Sequence, residues 1–132
     1  MKIPKLKKKA FKIDLGIYPY TIFVCFLDFE LLIDLISKEK LPPSEEQIED
    51  IKSYFVNVNY GAKVLNLSNG NVIMYIPHNY VEPNYMINSI THESLHITHM
   101  IMDRIGMKLN FKSDEAFCYL NGYINQKIFE EI

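Results

Sequence analysis

The chain has 132 residues, of which 48% are hydrophobic and 23% are charged, and its formal net charge is −2. This length is typical of one domain, and the apolar fraction excludes a disordered protein. With 5 glycines and 6 prolines, the composition also excludes collagen-like and linker-like chains.

The charge is divided unevenly along the chain. Residues 1–12 contain six lysines and no acidic residue, whereas residues 13–132 contain 8 basic and 16 acidic side chains. The sequence therefore predicts a basic N-terminal arm, residues 1–12, followed by a single acidic domain, residues 13–132. Contact with nucleic acid is expected only through this arm, by way of phosphates. A solvated tail without function is the equal alternative.

The region after the arm fits neither a signal peptide nor a membrane span. Asp14 and Pro19 interrupt the apolar character of this region, and the run Leu15–Leu27 is shorter than the roughly 20 residues that a span needs. Cys25 and Cys118 are 93 positions apart and lie in apolar surroundings. This pattern predicts reduced, buried packing residues. We therefore expect a soluble, cytoplasmic protein with no membrane partner.

The first predicted elements are a β-hairpin and two helices. Phe11–Leu15 and Tyr20–Leu27 are rich in aromatic and β-branched residues and are separated by a Gly- and Pro-containing turn, which predicts the hairpin. Phe29–Ile36 has near-helical apolar spacing. Ser44, with Gln47 three residues later, matches a capping box, which predicts a helix over residues 45–55.

A second hairpin and two long helices complete the predicted order. Asn69-Gly70 between Ala62–Leu67 and Asn71–Ile76 supplies the positive φ angles of a tight turn. A long helical pattern over Asn84–Ile105 ends at Gly106, and Ser113 is predicted to cap a last helix that extends to about residue 130. The fold class predicted is α+β, with small antiparallel hairpins packed on helices.

Three of the four histidines lie within eight residues, and His92-Glu93-Ser94-Leu95-His96 has the form H-E-x-x-H. On a helix, two residues four positions apart project from the same face, so both imidazoles can share one zinc ion. Zinc lowers the pKa of a water ligand, and Glu93 is placed to remove its proton. This motif predicts a zinc hydrolase.

A catalytic zinc ion needs a third protein ligand. His99 and Asp103 continue the stripe, but His99 is about 10.5 Å along the helix axis from His92, too far to share one ion. Glu115, at the start of the next helix, reaches His96 if the connection 107–112 folds back by two to three helical turns. Asp114 is the rival ligand, or a second carboxylate that holds a ligand histidine. The structural alternative is that Asp114 and Glu115 do not bind metal and stand at the start of the helix because its dipole favours negative charge there.

The segment Ile90–Ile124, with H-E-x-x-H followed by Asp-Glu-Ala and Gly-Tyr-Ile, resembles small bacteriophage proteins and, more broadly, gluzincin-type zinc peptidases. The resemblance covers about a quarter of the chain. It implies Zn²⁺ held by His92, His96 and Glu115, with Glu93 as the general base. It also implies a phage-encoded protein in the cytoplasm of a bacterial host or associated with the virion. Phe117-Cys118 departs from the small or acidic residues expected there.

Further residues have weaker assignments. Tyr119 and Tyr123 follow Glu115 by one and two turns and could donate a hydrogen bond to a developing oxyanion; aromatic core packing is the alternative. The strand Asn71–Ile76 is predicted to be an edge that aligns an extended peptide by β-augmentation. His78, just after Pro77, is expected in a surface loop.

The sequence therefore predicts a zinc metallopeptidase that acts on a peptide or protein substrate. The alternative is a phage accessory or structural protein, with a phage or host protein as its partner and a metal that is architectural or a site that is inactive. A protease tethered to nucleic acid by its lysine arm is a third hypothesis. An open coordination position favours an enzyme, and a closed site favours a structural metal.

Overall fold

The computed structural model describes residues 5–58 and 61–132. Its elements follow in the order β1 (Lys9–Asp14), β2 (Thr21–Phe26), α1 (Phe29–Ser37), α2 (Glu45–Phe55), β3 (Lys63–Asn66), β4 (Val72–Ile76), α3 (Pro83–Arg104) and α4 (Asp114–Phe129). Both predicted hairpins and all four predicted helices are therefore confirmed, with bounds that differ by a few residues at most. The predicted α+β class is confirmed.

The strands form one mixed sheet in the order β1-β2-β4-β3. Within each hairpin the pairing is antiparallel, and a parallel pairing of β2 with β4 joins the two hairpins, with Phe23 opposite Ile73. The prediction that Asn71–Ile76 forms an edge is wrong, because β2 covers the side of β4 that β3 leaves open. In the described part of the chain, β3 is the edge strand nearest α3.

Helices cover both faces of this sheet. Along β2, Ile22, Val24 and Phe26 belong to one buried cluster, whereas Phe23 and Cys25 belong to the other. Successive side chains of a strand point to opposite faces, so one strand supplies both cores. The first cluster contains the buried residues of α3 and α4, and the second contains those of α1 and α2.

The predicted helix caps differ in outcome. At the start of α2, the Gln47 backbone N–H donates to Ser44 Oγ at 3.2 Å, and the Ser44 N–H donates to Gln47 Oε1 at 2.7 Å, which confirms the capping box. Ser113 precedes α4 but makes no side-chain capping bond. Its hydroxyl instead donates to the backbone oxygen of Lys108, in the loop before α4.

Part of the predicted basic arm lies inside the domain. Lys9 and Lys12 are residues of β1, Leu6 is buried, and Lys12 forms an ion pair with Glu39 at 3.5 Å. A boundary after residue 12 would therefore cut through a strand, and residues 1–4 of the arm lie outside the described residues. Within residues 5–58 and 61–132, the helices are all too short or too polar to cross a membrane.

The two cysteines have different environments. Cys25 is fully buried in β2, as predicted, and burial raises the pKa of its thiol to about 12. Cys118 is exposed on α4, so the prediction of a second buried cysteine is wrong. Leu120 and Phe117 turn to the core instead, and Cys118 lies on the outward side of the same helix.

Candidate metal centre

Helix α3 carries the histidines, and its sequence defines both its ends and its buried face. Pro83 occupies its first turn, where the missing N–H costs nothing. At its end, Gly106 has a φ of +78°, and the Met107 N–H donates to the Met102 carbonyl at 2.9 Å. This closing pattern is typical of a glycine-terminated helix. Its buried residues include Met86, Ile90, Ile97 and Ile101.

His92 and His96 project from the opposite side of α3, and both are exposed. Their Nε2 atoms are 3.2 Å apart, and their ring centroids are 4.8 Å apart with the ring planes at 76°. The i, i+4 spacing therefore brings the two imidazoles together, as the sequence predicts.

The separation of the two nitrogens suits a shared metal ion. A tetrahedral zinc ion about 2.05 Å from each nitrogen would hold two histidine nitrogens about 3.3 Å apart. The observed 3.2 Å is within 0.2 Å of that value. In the absence of metal, the same distance allows one ring to donate a hydrogen bond to the other, depending on the tautomer. The histidine pair (His92 and His96) thus fits two positions of a zinc site.

Glu93 points to one flank of this pair and is half-buried. Burial raises the pKa of its carboxyl group, and the neighbouring His92 and His96 act in the opposite direction. Its negative charge reaches two tyrosines, because it adds to the effect of burial in raising the pKa of Tyr54 and of Tyr80. Glu93 is therefore coupled electrostatically both to the histidine pair and to Tyr54 and Tyr80, which we call the tyrosine cluster.

The tyrosine cluster lies at the edge strand β3. Tyr54, on α2, donates its hydroxyl to the outward carbonyl of Val64 at 2.8 Å. The hydroxyl of Tyr80, in the loop before α3, is buried and makes no hydrogen bond to the described residues. Ser89 lies beside it without hydrogen-bonding geometry. Neither tyrosine has a sequence signal that distinguishes it from the other tyrosines, and we did not predict them.

Glu115 does not join the histidine pair. Helices α3 and α4 are antiparallel, with Thr98 Oγ1 3.3 Å from Asn121 Oδ1 and the rings of His99 and Phe117 5.4 Å apart. This register places Glu115 roughly 7 to 12 Å beyond His96 along the helix axis. The connection does not fold back as the prediction required.

No other residue completes the metal site. Among residues 5–58 and 61–132, no three His, Cys, Asp or Glu side chains cluster closely enough to hold a metal ion. Asp114 and Asp103 are exposed, and His99 packs on Phe117. His78 is exposed in the loop after β4, as expected. The pair is thus a two-ligand site in the described structure.

The two predicted tyrosine donors lie elsewhere. Tyr123 donates its hydroxyl to the backbone oxygen of Asp14, at the end of β1, at 2.7 Å. Tyr119, one turn earlier on α4, is 75% exposed. Of the predicted catalytic residues, only Glu93 is beside the histidine pair.

The histidine pair does not line the cleft beside α2. That cleft, of about 470 Å³, lies between α2 and β3 and is lined by residues that include Leu41, Pro43, Asp50, Tyr54 and Leu65. Tyr54 therefore lines this cleft, and its hydroxyl is bonded to the Val64 carbonyl. No protein-family model matches the chain, and comparison with curated proteins and with solved structures also finds no match.

Proposed function

We propose that the protein is a zinc-dependent hydrolase of peptide bonds, with His92 and His96 as two of its metal ligands and Glu93 as general base; the third ligand that a catalytic zinc ion needs is not beside the pair among the described residues. The observation that carries this proposal is the 3.2 Å separation of the two Nε2 atoms, with a half-buried carboxylate on the flank of the pair. When bound, zinc would supply Lewis-acid catalysis and lower the pKa of a water ligand.

The chain's own residues would each have a separate role. The histidines would hold the metal at the surface of α3, and Glu93 would accept the proton of the attacking water and pass it to the leaving amine. The hydroxyl of Tyr80 is buried and makes no hydrogen bond to the residues that the structure describes, and the charge of Glu93 helps to raise its pKa. Such a donor would stabilise charge that develops on the substrate oxygen.

The edge strand β3 would place an extended substrate beside this group. Its outward backbone atoms lie on the side of the sheet that Tyr54 reaches, since the Tyr54 hydroxyl contacts the Val64 carbonyl. The same hydroxyl lies in the electrostatic field of Glu93. An extended peptide paired with β3 would therefore pass close to the proposed base.

The test is to load the protein with zinc and measure cleavage of a labelled unfolded protein such as casein. Glu93→Gln should keep the zinc and lose at least a hundredfold in rate, since a positioned base contributes about 10²–10⁴-fold. Asp103→Asn, another acid of the same helix, is the matched control and should keep the rate. Equal rates for wild type and Glu93→Gln would refute the proposed base.

A second candidate function is a metal site without catalysis, in an accessory or structural protein. The observation that favours it is the exposure of both histidines on the side of α3 opposite its core residues. Catalytic metals usually lie in concave pockets. Zinc binding without cleavage of any peptide would support this second function over the first.

A further inference from the structure

The outer side of α3 carries three of the four histidines of the chain. Several of its exposed residues share one stripe at helical spacing, which the exposed Asp103 extends by one further turn. We call the part of this stripe from residue 85 to residue 99 the histidine face; its members are Tyr85, Asn88, His92, Leu95, His96 and His99. None of them carries a formal charge when the histidines are neutral. Tyr85 is 57% exposed and Leu95 is 47% exposed, so large apolar side chains lie in solvent beside the histidines.

Charge is scarce along α3 as far as Met102, although the last two residues of the helix, Asp103 and Arg104, are charged and exposed. Between Pro83 and Met102, Glu93 is the only charged residue, in a chain of which 23% is charged. By contrast, the shorter α2 carries five charged side chains, among them Glu45 and Lys52. A surface with few charges and exposed aromatic and aliphatic side chains is typical of the core of a protein–protein interface.

The histidine pair on this face provides half of a zinc coordination shell. Structural zinc is almost always bound by four ligands in a tetrahedron. The pair supplies two with a suitable separation, and the described residues supply no third. Because both imidazoles are exposed, ligands from another molecule can approach the open side.

We propose that a second copy of this chain supplies the remaining two ligands, so that one zinc ion joins two histidine faces. A two-fold axis through the metal would place the same His92 and His96 of the second copy opposite the first pair. Such an interface is isologous, because each copy presents the same patch. The two Leu95 side chains would then lie beside the metal and leave water on association.

The contact area explains why this association would depend on metal. From Tyr85 to His99 the face is about 21 Å long, and two helices crossing there bury less than the roughly 1,200 Å² of a stable interface. The apolar residues would contribute some affinity, but the coordination bonds would decide whether the dimer forms. Metal-free protein is therefore monomeric.

The inference rests on the same zinc-binding histidines as the proposed function, and it adds a form of regulation. Hydrolysis needs an open coordination position, whereas four histidines fill the shell. The dimer would therefore be the inactive form, and activity per chain would fall as the chain concentration rises at a fixed ratio of zinc to protein.

The experiment is a zinc titration of the full chain followed by sedimentation equilibrium and zinc analysis. We expect the mass to double from 15.5 kDa at one zinc ion per two chains, and a chelator to reverse the change. His92→Ala and His96→Ala should each remain monomeric, whereas His78→Ala, which removes a histidine outside the face, should dimerise as wild type does.

A further pair of variants tests the face itself. Leu95→Asp introduces a charge beside the metal and should raise the dimer dissociation constant at least tenfold, whereas Leu109→Asp, at an exposed leucine of the following loop, should not. A dimer that forms equally with Leu95→Asp, or one that persists in chelator, would overturn the proposal.

The results also separate this inference from the proposed function. A monomer with one zinc ion and peptidase activity would refute the dimer and support the hydrolase. A dimer with one zinc ion per two chains, and no cleavage at any concentration, would support the dimer and refute the hydrolase. Protein that binds no zinc would refute both.

Discussion

Zinc should stabilise the folded protein through the histidine pair, and the size of the effect can be worked out in advance. At a free zinc concentration ten times the dissociation constant, a ligand that binds only the folded state adds about 1.4 kcal/mol to the free energy of unfolding. With an unfolding entropy of about 2.1 cal/mol/K per residue, a chain of 132 residues should gain about 5 °C in Tm. Differential scanning calorimetry of dilute protein, with and without zinc, measures this shift.

Two variants decide which residues cause the shift. His96→Ala should weaken zinc binding about a hundredfold or more, since even the loss of a hydrogen-bond partner of a ligand costs 10–100-fold. Zinc at the same concentration should then leave the Tm of His96→Ala unchanged. Glu115→Gln should keep the wild-type shift, because the register of α3 and α4 holds Glu115 away from the pair. An equal shift in His96→Ala and wild type would refute the reasoning, and a lost shift in Glu115→Gln would refute the register.

Four further predictions concern stability and reactivity. In the native protein at pH 8, Ellman's reagent should modify the exposed Cys118 quickly and the buried Cys25 about a thousandfold more slowly. The reason is that burial raises the pKa of the Cys25 thiol from 9.0 to about 12. Equal rates for the two cysteines would contradict the burial of Cys25. The same shift means that the folded state loses stability as the pH rises from 9 to 12, measurable by urea unfolding. Gly70→Ala should lower the free energy of unfolding by about 3 kcal/mol, since φ is +93° and the new Cβ would overlap the ring of Tyr20. Gly106→Ala should lower it by only about 1–2 kcal/mol, because φ there is +78° but the space around the new Cβ is open. Similar losses for the two variants would exclude the overlap with Tyr20. Ser44→Ala should lower the free energy of unfolding, measured by urea unfolding, by about 1 kcal/mol. An unchanged free energy would show that the capping box contributes little to stability.

The local elements of the fold could be predicted because their causes are local. Ser44 and Gln47 lie within one turn of each other, and Asn69-Gly70 sets its own backbone angles, so neighbouring residues suffice to define these features. The parallel pairing of β2 with β4 joins residues about 50 positions apart, such as Phe23 and Ile73. No periodicity within either strand indicates that partner, and this is why β4 was placed at the wrong position in the sheet.

The candidate site divides in the same way. The histidine pair follows from helical periodicity alone, since the i, i+4 spacing fixes the relative positions of two residues on one helix. The position of Glu115 depends on how the loop 107–112 turns and on how α4 packs, and neither is encoded in the spacing of the motif. Tyr54 lies on another helix, and its pKa is raised by burial and by the charge of Glu93. Only the tertiary structure could identify it.

The arrangement of the sheet also has a consequence for how the chain folds. Each hairpin brings together residues close in sequence, and such contacts form early because little loop entropy is lost. The pairing of β2 with β4 must instead close a loop that contains α1, α2 and β3. The seam between the two hairpins should therefore limit the folding rate, and zinc, whose two ligands lie on a single helix, would not speed the closure of that seam.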